Sequence, residues 1–207
     1  MTPDDPAGLP ASGLPAPGGR RETIESPPDE VLTIGHSNRS FDEFLELLRA
    51  HHVTLVVDVR TMPGSRHNPQ FNRETLILSL HHAGIDYVHL KGLGGRRRKQ
   101  KDSPNQGWKN ASFQGYADYM QTAEFEESIE QLMRRVQGQR AVLMCAEAVP
   151  WRCHRSLIAD ALTVRGISVA DIFSATRTRP HVLKPWARVQ GTRITYPEHE
   201  EGGPATA

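Results

Sequence analysis

The segment Arg140–Ile172, RAVLMCAEAVPWRCHRSLIADALTVRGISVADI, decides the fold. Its first six residues, Arg140–Cys145, form a compact apolar run, which predicts a strand covered on both faces. Cys153–Arg165 reads as a helix closed by Gly166. Ile167–Ile172 reads as another strand. Strand, loop, helix and strand in this order predict two parallel strands joined by a right-handed crossover.

The same pattern extends toward the N-terminus. Val31–Ile34 is a short apolar run ending in Gly35. Ser40 and Glu43 then form a capping box, and Phe41, Phe44, Leu45, Leu47 and Leu48 supply a buried helix face. Val53–Val59 is β-branched and nearly continuous in apolar character, as expected of a buried parallel strand. Asn72 predicts the cap of a helix running to Ala83, with Gly84 as its stop. Ile85–Leu90 predicts a third strand, and Phe113–Thr122 and Glu124–Val136 predict two helices. Arg193–Tyr196 reads as a small edge strand. The expected class is therefore α/β: a single domain with a mostly parallel, Rossmann-like sheet of about five strands between layers of helices.

Composition sets the limits. The chain has 207 residues. Residues 1–29, rich in Pro, Gly, Ala, Ser and Asp, and the tail 198–207 cannot bury enough apolar area to order themselves, so both are expected to be disordered. The folded part is expected over 30–197. A formal net charge of +1 makes the molecule no polycation, so any attraction to nucleic acid must come from a local patch. Two cysteines provide no disulfide framework for this size, which points to a reducing compartment. There is no secretory leader pattern and no run long enough to span a membrane. Cytoplasmic residence without a membrane partner is the expectation.

In an open parallel sheet, ligands bind beyond the carboxyl ends of the strands. His36, Ser37 and Asn38 follow the first strand. Asp58 and Arg60 end the second, with Pro63, Gly64, Ser65 and Arg66 beyond. Gly92, Gly94 and Gly95 follow the third. Cys145, Glu147, Pro150, Arg152, Cys153, His154 and Arg155 follow the fourth. The opposite loops, such as Gly138–Gln139, are plain. Cys153, His154, Glu147, Asp58 and His36 are therefore the candidate catalytic residues. Ser37, Arg60, Ser65, Gly94, Gly95 and Arg155 are the candidate ligand-binding residues. Each residue type also has an ordinary structural use, since Asp, Ser, Asn and Gly cap helices and make turns.

Cys153 sits near a predicted helix start, where free N–H groups and the helix dipole favour anions and an ionised thiol. Arg152 or Arg155 is placed to clamp a phosphate or carboxylate. Glu147 could act as an acid or base, or orient an arginine. The structural alternative makes Cys153 a small buried hydrophobe and Arg155 a partner of Glu147. Cys145, Cys153 and His154 with His36 could in principle hold zinc. However, the spacing matches no paired C-x-x-C site, and adjacent Cys-His rarely both point at one ion, so no metal is assigned. No cofactor is assigned either.

Arg96, Arg97, Arg98, Lys99 and Lys101 concentrate positive charge after the glycine turn, with Lys91 before it and Trp108, Lys109 and Phe113 beyond. Such a loop could hold a phosphate backbone and stack bases, although charge runs are more often solvated surface. Arg177, Arg179, His181, Lys184 and Arg188, with Trp186, form a second basic stretch. An anionic small molecule or nucleotide is the expected partner, and nucleic acid is the alternative.

Five stretches together resemble the family called domain of unknown function 488. They are T-I-G-H-S at Thr33–Ser37, D-V-R-x-x-P-x-S at Asp58–Ser65, L-G-G at Leu93–Gly95, Y-A-x-Y-M at Tyr116–Met120, and C-A-E-x-x-P-x-x-C-H-R at Cys145–Arg155. They run in the family's order over about 31–173. The resemblance implies a compact α/β fold and leaves the activity open. A weaker likeness is to rhodanese-type domains, in which Cys145 would be the nucleophile and Arg155 and Ser156 would begin the following helix. The loop here is longer than the usual rhodanese or phosphatase cradle, and Pro150 lacks the N–H such a cradle aims at an anion.

The reading that follows is an enzyme or ligand-binding domain acting on a phosphorylated or nucleotide-like substrate. Its rivals are a non-catalytic nucleic-acid-binding or regulatory module using loop 96–101, and a rhodanese-like sulfurtransferase or phosphatase.

Overall fold

The structure is a computed structural model and describes residues 30–198. The disorder expected of the two tails falls outside the described residues, apart from Glu198. Six strands form one sheet in the order β3-β2-β4-β1-β5-β6. They are β1 Glu30–Gly35, β2 Leu55–Asp58, β3 Asp86–His89, β4 Ala141–Cys145, β5 Ser168–Ser174 and β6 Arg177–Pro180. The first five are parallel, as the patterning predicts, and β6 is antiparallel to β5.

The helices are α1 Phe41–Ala50, α2 Arg73–His82, α3 Ala111–Tyr119, α4 Ala123–Val136 and α5 Arg155–Thr163. Their placement follows from right-handed crossovers and strand order. The connections β1-α1-β2 and β2-α2-β3 step one way across the sheet, while β3-α3-α4-β4 and β4-α5-β5 step the other way. So α1 and α2 share one face, where Phe44, Leu48, Leu76 and Leu80 pack with Ile34, Val56 and Met144. The other face holds α3, α4 and α5, where Tyr116, Phe125, Ile129 and Ile158 pack with Val31, Val57 and Leu143. Neighbouring strand residues such as Val56 and Val57 alternate between these cores, as a pleated strand requires. Each large aliphatic or aromatic side chain buried in this way contributes roughly 1.5–3 kcal/mol.

The capping box at Ser40 and Glu43 is present in both directions. Asn72 stands at the N-cap of α2, but its side chain makes no cap hydrogen bond. Its Oδ1 instead accepts from the Ser65 backbone at 2.6 Å, tying the loop after β2 to the helix start. Helix α5 begins two residues later than expected. Pro150–Arg152 make a 3-10 turn, and Cys153 follows in extended backbone. The strand expected at Arg193–Tyr196 is found as β8, Arg193–Thr195. It does not extend the main sheet but pairs with β7, Arg188–Gln190, in a hairpin turned at Gly191, whose φ is 60°. Among the described residues, no helix is long and apolar enough to cross a membrane.

Candidate functional site

Strand register fixes the site. Gly35 pairs with Cys145 across β1 and β4, and Asp58 pairs with Met144 across β2 and β4. The chain ends of three adjacent strands therefore lie at one level. From there β1 sends the chain toward β2 and β4 sends it toward β5, the kind of divergence that opens a crevice in α/β sheets. The loop after β4 folds back over β1. A Cβ on Gly35 would sit 1.8 Å from the Glu147 carbonyl oxygen, so only glycine permits this approach.

A cleft of ≈ 490 Å³ opens here. Cys145, Cys153 and His154 line it, with Arg60, Ser65, Gly95, Arg96, Glu147, Arg152 and Phe113 around them. Asp58, His36 and Arg155, each at most 2% exposed, lie behind this wall. Ser37 and Gly94 are not part of the lining. Gly94 lets the chain pass against Thr61, and Ser37 adopts a φ of 52° while its hydroxyl meets Asn38.

Behind the cleft, Asp58 holds Arg60. Its carboxylate accepts from Arg60 Nε at 2.9 Å and from Nη2 at 2.6 Å, and it also accepts the Tyr87 hydroxyl at 2.8 Å. Burial and this carboxylate push the Tyr87 phenol above its ordinary range. His36 completes the support. Its Nδ1 lies 2.8 Å from the Ser37 carbonyl, so Nδ1 carries the proton, and Nε2 accepts from Arg60 Nη1 at 3.3 Å. The ring stacks on Phe71 with centroids 4.2 Å apart.

Burial, joined by the charge of Arg60, keeps His36 below its ordinary value of 6.5. A folded value below the unfolded one means that the unfolded chain takes up a proton first as pH falls. The stabilising contribution is thus present above 6.5 and is lost below it. Urea denaturation of the wild type between about pH 7 and pH 5 is expected to show this loss, and His36→Gln is expected to flatten it.

The cleft floor is a sulfur–imidazole cluster. Cys145 Sγ, Cys153 Sγ and a His154 ring nitrogen all lie within 4.8 Å of one another. His154 Nε2 is 2.9 Å from the Val59 carbonyl and therefore donates, leaving Nδ1, 3.7 Å from Cys153 Sγ, with its lone pair toward the sulfurs. The hydrogen bond from the Cys153 thiol, with the positive charge of Arg155 adding to it, draws the Cys145 thiol far below its ordinary range against the opposing effect of burial. Cys153 is raised by its contact with Cys145 and by burial. Of the pair, Cys145 is the member drawn toward the thiolate and Cys153 the one held toward the thiol.

Arg155 has no carboxylate on it. Nη2 donates to the Glu147 carbonyl at 2.8 Å, while Nε and Nη1 are buried with no hydrogen-bond partner among the described residues. The expected alternative of an Arg155–Glu147 ion pair is thus replaced by a contact to the Glu147 backbone. A guanidinium 1% exposed needs a negative charge nearby, and among the described residues the Cys145 thiol is drawn toward ionisation by its charge.

The basic loop is partly committed to the fold. Arg97 lies over the Tyr119 ring at 3.5 Å and donates to the Gly92 carbonyl. Arg96 reaches the cleft, and Arg98, Lys99 and Lys101 are exposed. Buried Asp118 anchors the segment, accepting from the Gln100 backbone and Asn105 Nδ2 at 2.8 Å each. Trp108 stacks on Phe113 and packs against Trp186 and Tyr196, so these aromatics serve one another. In the second basic stretch, His181 bonds Asp160, which also accepts from Tyr196. Asp118 and Asp160 escaped the sequence reading. The available signal was an acid set among apolar residues on a buried helix face.

No curated protein and no solved structure matches the chain. A family model described as domain of unknown function DUF488 matches residues 40–162. That stretch runs from the cap of α1 almost to the end of α5 and contains Arg60, Arg96, Cys145, Cys153, His154 and Arg155. The whole cleft floor is thus family sequence, and the chain belongs to the DUF488 family.

Proposed function

We propose that the protein is an enzyme of the reducing cytoplasm. It holds an anionic substrate, of a phosphorylated or nucleotide-like kind, in the cleft and attacks it with the Cys145 thiolate. The observation that carries this reading is buried Arg155, without a carboxylate, beside a cysteine that lines an arginine-bearing cleft. Arg96 and Arg152 supply charge at the mouth, and Arg60 is held in the wall by Asp58. The nucleophile is Cys145 rather than Cys153, because Cys145 is the more exposed of the two, at 7% against 2%, and is the one whose thiol is drawn down. His154 Nδ1 is the proton acceptor of the site. The rival reading, a nucleic-acid module on loop 96–101, has less support, because Arg97 and Trp108 are engaged within the protein.

The test is the pH profile of iodoacetamide alkylation, mapped by mass spectrometry on the intact chain. An ordinary thiol loses about tenfold in rate per pH unit below about 8.5. Cys145 is expected to react at about pH 6 within about threefold of its rate at about pH 8, and inorganic phosphate is expected to slow it. A tenfold loss per unit, or earlier modification of Cys153, would falsify the assignment.

A further inference from the structure

We infer that Cys145 and Cys153 work as a dithiol–disulfide couple, and that the atom attacked is the sulfur of a small disulfide whose substituents carry negative charge. This rests on the reading of Cys145 as the nucleophile and names its electrophile.

The chain has two cysteines, and the fold brings both to one point. A single nucleophile for phosphoryl or acyl transfer needs no second thiol against it. A second thiol within 4.8 Å would intercept a sulfur-bound intermediate instead. The two differ in the way the two halves of such a reaction require. Cys145 is the more exposed to the cleft and its thiol is drawn down, while Cys153 is deeper and its thiol is pushed up. Cys153 also lies outside the rigid helix, in extended backbone between the 3-10 turn and α5. His154 Nδ1, 3.7 Å from Cys153 Sγ, is placed to take the proton that must leave before Cys153 can attack.

In the first step the Cys145 thiolate attacks one sulfur of the substrate RS–SR. A Cys145–SR bond forms, the substrate S–S bond breaks, and RS⁻ leaves. In the second step Cys153 gives its proton to His154 Nδ1 and attacks Cys145 Sγ. The Cys145–Cys153 bond forms and the second RS⁻ leaves, taking the proton from the imidazolium. Two electrons pass from the protein dithiol to the substrate, and an external thiol reductant returns the protein to its starting state. Exposed Arg96 and Arg152 at the mouth favour substituents bearing phosphate or carboxylate.

The test uses the reduced full-length chain under chelator and without air, with three probes: glutathione disulfide, coenzyme A disulfide and cationic cystamine. Intact mass is expected to show wild type ending two hydrogens lighter with no adduct. Cys153→Ser is expected to trap the adduct on Cys145, and Cys145→Ser to form neither product. Relative to free cysteine, the two anionic probes are expected to react at least about tenfold faster than cystamine. A wild-type chain that keeps its adduct overturns the couple but leaves the Cys145 assignment standing. Silence of Cys145 toward every probe and toward iodoacetamide overturns both. Cystamine as fast as the anions overturns the charge preference. One zinc per chain, bound through Cys145, Cys153 and His154 and released only by chelator, overturns the couple in favour of a metal site.

Discussion

Arg155→Met is expected to raise the pH midpoint of Cys145 alkylation by about one unit, while the protein stays folded. The size follows from electrostatics. One pH unit corresponds to about 1.4 kcal/mol of differential interaction, and a unit charge beside a buried thiolate is worth several times the exposed value. Without Arg155, burial acts on Cys145 opposed chiefly by the Cys153 hydrogen bond. Stability moves differently. Arg155 is buried with two nitrogens unpartnered, so an apolar chain of similar length removes a desolvation cost and the thermal midpoint should hold or rise. The reciprocal variant separates the two effects. Cys145→Ser removes the counter-charge and leaves a buried guanidinium uncompensated, so it should destabilise the fold by about 1–3 kcal/mol. Combining it with Arg155→Met should recover most of that loss. A midpoint unmoved in Arg155→Met would mean that the Cys153 hydrogen bond suffices to hold the thiolate.

The parallel core and the placement of the site were legible because both depend on local pattern. Arg140–Cys145 and Val53–Val59 are continuous apolar runs, and such runs are buried on both faces. Gly35 closes the first strand, and its close approach to Glu147 puts the two loops together. What stayed hidden depends on contacts distant in sequence. Strand β6, Arg-Thr-Arg-Pro, is exposed at every residue and has no apolar alternation; only the open edge of β5 makes it a strand. The pairing of the two cysteines was hidden for a related reason. Cys153 attracts notice as the residue at a helix start, but α5 begins at Arg155, and Cys145 at the strand end lines the same cleft. The same late start explains why Cys153 and His154, although adjacent, face one point: neither is yet inside the helix, so helical geometry does not splay them apart. Asp58 and His36 were legible as polar residues at strand ends, but their task of gripping Arg60 becomes visible only in three dimensions.

That grip leads to the second large effect. Asp58→Asn is expected to lower stability by roughly 3–5 kcal/mol, read as a fall in the urea midpoint at neutral pH. Asp58 is fully buried, and its two oxygens accept from Arg60 Nε, Arg60 Nη2, the Arg60 backbone N–H and the Tyr87 hydroxyl. All of these partners are donors. Asparagine replaces one accepting oxygen with an NH₂ group, so at least one donor meets another donor, and the guanidinium loses its counter-charge in a site where its side chain is only 7% exposed. His36 cannot compensate, because its one free lone pair already accepts from Arg60 Nη1. Tyr87 should respond in the opposite sense. Its hydroxyl, now pushed well above its ordinary range by burial and the Asp58 carboxylate, should titrate closer to its ordinary value. Asp58→Asn combined with Arg60→Met removes the stranded charge and should recover part of the loss. A fall below about 1 kcal/mol in the single variant would show that Arg60 turns into the cleft and finds water there. In that case the wall of the site is held by the Phe71–His36 stack and the loop backbone rather than by the ion pair.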